Sequence, residues 1–286
     1  MTLGNAPCPC GSGLRFEHCH GRAAPGPAAP GPELDFVVVG TQRGGTSTLD
    51  RYLREHRGVA MPVTRKELHF FDRDEHFAAE PVDFAAYHAN FGPRLPGQLR
   101  GEVTPSYMYW TPAAGRLARY RPALKIVILL RNPITRAYSH WNKARHGGRE
   151  TLPFLAALHA ESDRARAAAP AQDLRTSYVA RGFYVSQLQR LWRHFPADQT
   201  LVIRSEALWT GPSQTLARIA DFLGLSPFPR VVPTTINARE YAGPMQPGEW
   251  AHLADTFADE IRELERLLGW DCGDWLRPPS RDAASA

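Results

Sequence analysis

The stretch VVVGTQRGGTSTL, residues 37–49, joins an apolar run to three glycines, one arginine and several hydroxyl side chains. A continuous apolar run that ends in glycine is typical of a buried parallel strand, and the residues from Ser47 onward have helical spacing. Such a turn directs backbone N–H groups and the positive end of the helix at one anion. The stretch therefore predicts an anion-binding strand–turn–helix, with an ordinary turn between strand and helix as the alternative.

The glycine pattern is close to the phosphate-binding loop of nucleotide triphosphatases, G-x-x-x-x-G-K-[ST]. Gly40, Gly45 and Ser47 are in register with that loop, but Thr46 stands at the position of its lysine. The cation of the stretch, Arg43, lies three residues earlier. This arrangement predicts a phosphate-bearing ligand that is held differently from ATP, with a P-loop kinase as a distant alternative.

The second apolar run, LKIVILL at residues 124–130, indicates how the ligand differs. A triphosphatase needs an acidic magnesium ligand at the end of such a strand, and this run is followed by Arg131 instead. A guanidinium removes the magnesium site and adds an anion contact. A nucleotide with a 5′-phosphosulfate and a second phosphate on its ribose fits both departures. Its 5′ end would occupy the loop, and its ribose phosphate would contact Arg131 and Ser139.

Apolar runs and helical patterns alternate along the rest of the chain. The segment 200–208 is interpreted as a third strand that leads into a helix, and a final helix is expected over about 249–268. This alternation predicts an α/β domain over residues 35–276, a P-loop-like three-layer fold with a central, mainly parallel sheet. The segment 161–173 is expected to be a mobile loop, and residues 277–286 a disordered tail.

The first 34 residues form two units of distinct composition. Residues 1–21 hold Cys8, Cys10 and Cys19, and residues 22–34 form a Pro/Gly/Ala-rich linker. Clustered cysteines without a secretory signal favour a metal site over disulfides. The sequence therefore predicts a small metal-binding unit that is tethered to the main domain.

The overall composition restricts the partners of the chain. The 286 residues carry a net charge of +5, which suits an anionic ligand, and the arginines are too scattered to predict a nucleic-acid partner. Apolar runs are far shorter than the roughly 20 residues of a membrane span, and no signal-peptide pattern is present. Of 34 basic residues only Lys66, Lys125 and Lys143 are lysines, a bias typical of a GC-rich bacterial genome. We expect a cytoplasmic bacterial protein without a membrane span.

Five segments resemble, in the same order, the motifs of the sulfotransferases that use 3′-phosphoadenosine 5′-phosphosulfate. Within that family the resemblance is to the Golgi heparan sulfate sulfotransferases and their bacterial relatives. It implies an active enzyme that moves a sulfuryl group to an acceptor hydroxyl on a glycan, a lipid or a small metabolite. The segments are VVVGTQRGGTSTL (37–49), KELHFFD (66–72), GEVTPSY (101–107), ILLRNPITRAYSHW (128–141) and RGFYVSQLQRLW (181–192).

The resemblance also implies a set of donor-binding residues. Arg43, at the position usually held by lysine, belongs to the loop around the 5′-phosphosulfate, while Arg131 and Ser139 match the 3′-phosphate contacts. Arg181 is implied as a further 3′-phosphate contact, with a surface ion pair as the alternative, and Arg239 falls in a loop that closes over the nucleotide. The full set is Arg43, Gly44, Gly45, Thr46, Ser47, Thr48, Arg131, Ser139, Arg181 and Arg239.

The implied catalytic residues lie mainly in the segment KELHFFD. Glu67 matches the catalytic glutamate and would act as the general base, while Arg43 would stabilise the departing phosphate. His69 is a further candidate that would orient the acceptor together with Asp72; alternatively, His69 packs in the core and Asp72 caps a helix. Val103 replaces a lysine that relatives place near the acceptor, so a polysaccharide acceptor is not implied.

The N-terminal unit resembles the SEC-C zinc motif, C-x-C-x8-C-[CH]. Cys8, Cys10, Cys19 and His20 match its ligands and would close a tetrahedral structural zinc site without an open position. The motif also raises the possibility of a protein partner. The alternative function is therefore a zinc-module adaptor whose nucleotide domain is inactive. The intact set of matched residues disfavours it: Arg43, Glu67, Arg131 and Ser139.

Overall fold

A computed structural model of the chain describes residues 33–229, 231–232, 241 and 243–278. In these residues five strands form one parallel sheet in the order β2-β3-β1-β4-β5. Because β1 lies in the centre, the loop that follows it opens at the middle of the carboxyl edge, where parallel α/β sheets bind ligands. The strands are β1 (Phe36–Gly40), β2 (Val59–Ala60), β3 (Leu99–Val103), β4 (Lys125–Leu130) and β5 (Thr200–Arg204).

Helices connect the strands, and local sequence sets several of their ends. The Asn132 side chain accepts the N–H groups of Ile134 and Thr135 and so caps α4, which begins at Pro133, a residue that suits the first position of a helix. Gly224 adopts the left-handed conformation that ends α8. The helices are α1 (Thr46–Glu55), α2 (Ala85–His88), α3 (Ala113–Tyr120), α4 (Pro133–His146), α5 (Phe154–Ala168), α6 (Tyr184–Trp192), α7 (Ser205–Thr210), α8 (Pro212–Leu223) and α9 (Pro247–Leu268).

The central strand is buried on both faces, which confirms the predicted three-layer α/β fold. Val37 and Val39 join a large core with α3, α4, α6 and α9, whereas Phe36 and Val38 join a smaller core with α1 and α8. The Phe36 ring also crosses the neighbouring strand at Gly101, where a Cβ atom would lie 2.1–2.4 Å from three ring atoms. The glycine of GEVTPSY is therefore required by packing.

The predicted mobile loop at 161–173 is wrong over its first half, because α5 continues to Ala168. Phe154, Ala157 and Leu158 bury one face of this helix. The carboxylate of Glu161 accepts two backbone N–H groups ahead of α6, at 2.7 and 2.8 Å. Apart from the buried Glu161, charged residues of this segment such as Asp163 and Arg166 lie on the exposed side of the helix.

The packed domain begins slightly earlier than predicted. Leu34 is fully buried, and its N–H donates to the Tyr120 hydroxyl, so the linker ends before this residue. Residues 1–21 and most of the predicted tail at 277–286 lie outside the described residues. Within the described part of the chain, no helix combines the length and apolar character needed to cross a bilayer.

Candidate active site

The loop between β1 and α1 is held tightly against the end of β4. Thr41 binds the Leu129 carbonyl through both its N–H and its hydroxyl, at 2.8 and 2.7 Å. A Cβ atom on Gly44 would lie 2.9 Å from the carbonyl oxygens of Leu129 and Thr41, so only glycine fits there. α1 begins after Gly45, which carries no capping side chain, and its first turn holds no acidic residue. The loop therefore presents a helix N-terminus suited to an anion.

The hydroxyl residues of this turn differ in exposure. Thr46 and Thr48 are 4% and 2% exposed, whereas Ser47 is only partly buried. Ser47 is therefore the hydroxyl of the turn that is best placed to meet a ligand.

The residues predicted to bind the two ends of the donor meet beside this loop. Arg43 donates from Nε to the hydroxyl of the buried Ser139 at 2.9 Å. Arg131 donates to the Arg43 carbonyl and to the Thr135 hydroxyl, both at 3.1 Å. Its guanidinium also lies 5.5 Å from the centre of the Trp209 ring. These contacts place two guanidinium groups side by side at the carboxyl edge of the sheet.

Tyr241 belongs to the same group, although no sequence motif indicated it. Burial raises the pKa of Tyr241, but the charge of Arg131 and hydrogen bonds with Ser139 and Arg131 outweigh burial and lower it. The Tyr241 ring packs edge-on against Tyr138, with centroids 5.4 Å apart. The nearby candidate Arg239 lies outside the described residues.

Glu67 lies next to the loop between β1 and α1, the predicted donor loop, and is surrounded by cations. The Lys66 ammonium donates to Glu67 Oε1 and to the Ser47 hydroxyl, each at 2.8 Å. His69 Nε2 lies 3.6 Å from Glu67 Oε2. Burial alone would raise the pKa of Glu67, but His69, Lys66 and the charge of Lys143 together lower it to about 2. Glu67 is therefore an anion at neutral pH.

His69 is held between two carboxylates, which supports its grouping with Glu67. Its Nδ1 lies 2.8 Å from Asp72 Oδ2, and the Ser106 hydroxyl donates to the same oxygen. The hydrogen bond to Asp72 and then that to Glu67 raise the pKa of His69 to about 9 against the effect of burial. Burial raises the pKa of Asp72, but hydrogen bonds from His69 and Ser106 lower it overall. At neutral pH this cluster consists of an imidazolium between two anions.

The segment GEVTPSY, residues 101–107, contacts the segment that carries this cluster. The Tyr107 hydroxyl accepts the N–H groups of Phe70 and Phe71, at 3.0 and 3.4 Å, and so fixes the segment that carries Glu67. Burial raises the pKa of the fully buried Glu102 to about 8, so this carboxyl group is mainly neutral at pH 7. Val103 is 1% exposed and packs in the smaller core. The residue at the family's lysine position thus contributes packing.

Three residues of the site have a left-handed backbone conformation that side chains with a Cβ rarely adopt. The φ angles are 67° at Arg43, 59° at Glu67 and 54° at His69. Such conformations are costly and cluster at functional sites. Their coincidence at the donor loop and beside the predicted base is a second, independent indication of function.

Arg181 is a buried residue whose charge interacts with that of Asp72. It is 1% exposed, donates to the Leu174 carbonyl, and has its guanidinium 4.6 Å from the centre of the Tyr109 ring. Its burial contradicts the alternative of a surface ion pair. Contact with the 3′-phosphate stays a prediction for Arg181. The four candidate zinc ligands, Cys8, Cys10, Cys19 and His20, lie outside the described residues.

Sequence reasoning missed two lysines of the site. Lys66 contacts Ser47 and Glu67, and Lys143 on α4 lies close enough to Glu67 to lower its pKa. A signal was present, since only three of the 34 basic residues are lysines and two of these lie at the site. In a chain that uses arginine almost everywhere, each remaining lysine is a candidate for a specific function.

The fold and the loop define a class, the α/β domains that bind phosphate-bearing ligands at the carboxyl edge of a parallel sheet. Residues 33–241 match the family model described as the sulfotransferase domain. The chain therefore belongs to the sulfotransferase family, as the sequence motifs predicted. Residues 5–22 match the SEC-C motif, which also agrees with the prediction.

Individual relatives support this assignment. The chain is 33% identical to heparan sulfate glucosamine 3-O-sulfotransferase 3B1 of Mus musculus over 190 residues, which are 66% of this chain and 45% of the relative. It is 33% identical over 213 residues to heparan sulfate glucosamine 3-O-sulfotransferase 6 of Homo sapiens, which are 72% of this chain and 58% of that relative. The chain thus spans about half the length of these curated relatives. The crystal structure of a sulfotransferase from Alicyclobacillus acidocaldarius matches with a TM-score of 0.73 and 32% identity, covering 86% of this chain and 99% of that one.

Proposed function

We propose that the protein transfers a sulfuryl group from 3′-phosphoadenosine 5′-phosphosulfate to a hydroxyl group of an acceptor. The observation that carries the proposal is the meeting of Arg43, Arg131 and Ser139 beside Glu67 at one edge of the sheet. The loop amides, Arg43 and Ser47 would bind the 5′-phosphosulfate, and Arg131 and Ser139 the 3′-phosphate. This division supplies cations for a doubly phosphorylated donor and a carboxylate for the acceptor.

Glu67 would accept the acceptor's proton through Oε2, because Oε1 is bound to Lys66. With a pKa of about 2, Glu67 is a weak base. An alcohol is a far weaker acid than a carboxylic acid, so complete deprotonation by Glu67 before attack is strongly unfavourable. Proton transfer must therefore accompany formation of the bond between the acceptor oxygen and sulfur, when that oxygen becomes acidic.

The departing nucleotide takes the electron pair of the broken S–O bond. Negative charge then develops on the bridging oxygen of the 5′-phosphate, which Arg43 and the amides at the start of α1 would stabilise. His69, fixed by Asp72, would hold Glu67 in place through its positive charge. The reaction is an in-line displacement in which the acceptor oxygen replaces the phosphate oxygen on sulfur.

The adaptor alternative gains no support from this geometry. Its premise is a decayed nucleotide site, whereas the candidate base, the candidate donor cations and the residues with positive φ are all present and lie close together. For the N-terminal motif we propose a structural zinc held by three thiolates and one imidazole, supported by the SEC-C match and by the preference of zinc for such ligands. The proposed acceptor is a hydroxyl group of a glycan, a lipid or a small metabolite.

Binding of 3′-phosphoadenosine 5′-phosphate, followed by calorimetry, tests the donor assignment. We expect binding that EDTA does not weaken and that exceeds the binding of ATP, because Arg131 stands where a magnesium ligand would be needed. Transfer of radiolabelled sulfate from the donor to a library of hydroxyl compounds would then identify the acceptor class. A strict need for magnesium, or a preference for ATP, would contradict the proposal.

A further inference from the structure

Lys66 joins the donor loop to the predicted base through a single ammonium group. Its Nζ donates to the Ser47 hydroxyl in the first turn of α1 and to Glu67 Oε1, each at 2.8 Å. The side chains of Lys66 and Glu67 are 22% and 31% exposed, so their contact is shielded but accessible to a ligand. This contact links two places that would hold different substrates.

An ammonium group suits an exchange of partners. It carries three donors, and the two contacts of Lys66 leave one for a further oxygen. Its charge is compact and sits on a flexible four-carbon stem, unlike the planar guanidinium of arginine. Lys66 can therefore shift toward an anion at Ser47 without a backbone movement.

We propose that Lys66 is a positioning residue that couples donor binding to the basicity of Glu67, an inference that rests on the proposed function. Without the donor, the ammonium partly neutralises Glu67 and weakens it as a base. The phosphate and sulfuryl oxygens of a bound donor carry more negative charge than one carboxylate, and they attract the same ammonium toward Ser47. Glu67 then becomes the stronger base when the sulfuryl group is in place.

The other charged groups around this pair are fixed to a greater degree. Besides Lys66, two cations lower the pKa of Glu67: His69 from its own segment and Lys143 from α4. The charge of Arg43, in the loop after β1, acts in turn on Lys143. His69 is bound to Asp72 at 2.8 Å. Arg43 is bound to the Ser139 hydroxyl. Among the described residues, Lys66 is thus a cation with hydrogen bonds to both the predicted base and the predicted donor loop.

The test measures the protonation of Glu67 directly, with 3′-phosphoadenosine 5′-phosphate as the probe. The Glu67 carboxyl carbon, assigned through Glu67→Gln, is followed by 13C NMR as the pH is lowered, with and without the probe. In the wild-type protein the probe should raise the titration midpoint by about one to two pH units, a roughly 10–100-fold gain in proton affinity. In Lys66→Gln the midpoint without the probe should already be higher than in the wild-type protein. The further rise when the probe binds should be less than half of the wild-type rise.

Two variants control for charge and for the loss of a lysine. Lys66→Arg keeps the positive charge, so the midpoint without the probe should stay near the wild-type value, but its planar guanidinium should give a smaller rise on probe binding than the ammonium does. Lys125→Gln removes a lysine that donates to the Phe222 carbonyl, and it should behave as wild type. If Lys66→Gln fails to fold, 15N-labelled lysine in the wild-type protein replaces it, since the Lys66 Nζ signal should move on probe binding while that of Lys125 stays.

Failure of this inference differs from failure of the proposed function. A probe that binds but raises the midpoint equally in wild type and Lys66→Gln, or leaves the Lys66 Nζ signal unchanged, overturns the role of Lys66 alone. A probe that does not bind the wild-type protein overturns the donor assignment and this inference together.

Discussion

Replacing Asp72 by asparagine should change the charge of the active site without changing its shape. The hydrogen bond to Asp72 is the largest cause of the raised His69 pKa, which is about 9 against an ordinary 6.5. A carboxylate at hydrogen-bonding distance accounts for about 1–3 pH units of such a difference. Asp72→Asn should therefore lower the His69 pKa by about that amount. His69 would then be partly neutral at pH 7 and would stabilise the Glu67 anion less.

The same pair ties the stability of the domain to pH. The raised pKa of His69 contributes stability that is fully present below 6.5 and is lost as the pH rises through about 9. The lowered pKa of Asp72 contributes stability that is present above 3.8 and is lost as the pH falls through its lower folded value. Asp72→Asn should therefore destabilise the domain most between about pH 5 and 6.5, and less at about pH 10.

NMR of the histidine rings measures the effect before any acceptor is known. The chain has 11 histidines, and His69→Gln assigns the relevant signal. Asp74→Asn is the matched control, because Asp74 is 61% exposed and pairs with Arg116. A wild-type His69 that titrates near 6.5, or a midpoint that Asp72→Asn leaves unmoved, would refute this reasoning.

Three further predictions concern the base, the donor and the metal. Glu67→Gln should lower the turnover number about 10²–10⁴-fold in the label-transfer assay, since it removes general base catalysis, while the 65%-exposed control Glu75→Gln should not. Because the pKa of Glu67 is about 2, the rate should show no acidic limb from this group above about pH 5; a limb there would contradict the assignment. Arg131→Ala should weaken binding of 3′-phosphoadenosine 5′-phosphate by about 1.5–3 kcal/mol and leave binding of adenosine 5′-phosphosulfate nearly unaffected. Arg262→Ala, at an exposed position, is the control. Equal losses for both nucleotides would show that Arg131 does not bind the 3′-phosphate. Elemental analysis should find one zinc per chain that is lost in Cys19→Ser, whose nucleotide affinity stays normal; impaired affinity would argue against a purely local role for the zinc.

The part of the site that lies within single segments could be predicted from the sequence. A strand, a glycine turn and a helix start follow one another in residues 36–48, and the Asn-Pro start of α4 follows directly after β4. The parallel orientation of the strands, and the location of the loop at the carboxyl edge of the sheet, then follow from the geometry of α/β folds. These features depend on local pattern and on one general rule of topology.

Contacts between segments could not be predicted in this way. Lys66 and Ser47 are 19 residues apart, and Ser106 and Asp72 are 34 apart, so each pair depends on the register of strands that no local pattern fixes. β3 was also missed, because LRGEV contains a glycine and two charged residues that argue against a strand. The arginine and glutamate of β3 are nevertheless buried, which local propensity does not predict.

The left-handed backbone at Arg43, Glu67 and His69 has a consequence for attempts to make this protein more heat-resistant. A residue with a Cβ in that conformation costs about 1–2 kcal/mol, and glycine removes most of this cost. A laboratory selection that rewards thermal tolerance alone should therefore enrich glycine at position 43, and with it the loss of the predicted donor cation, whereas the ion pairs of Glu67 and His69 offset the backbone cost at those two positions. Selection for turnover should keep Arg43. Heat tolerance and catalysis would thus favour opposite substitutions at this codon.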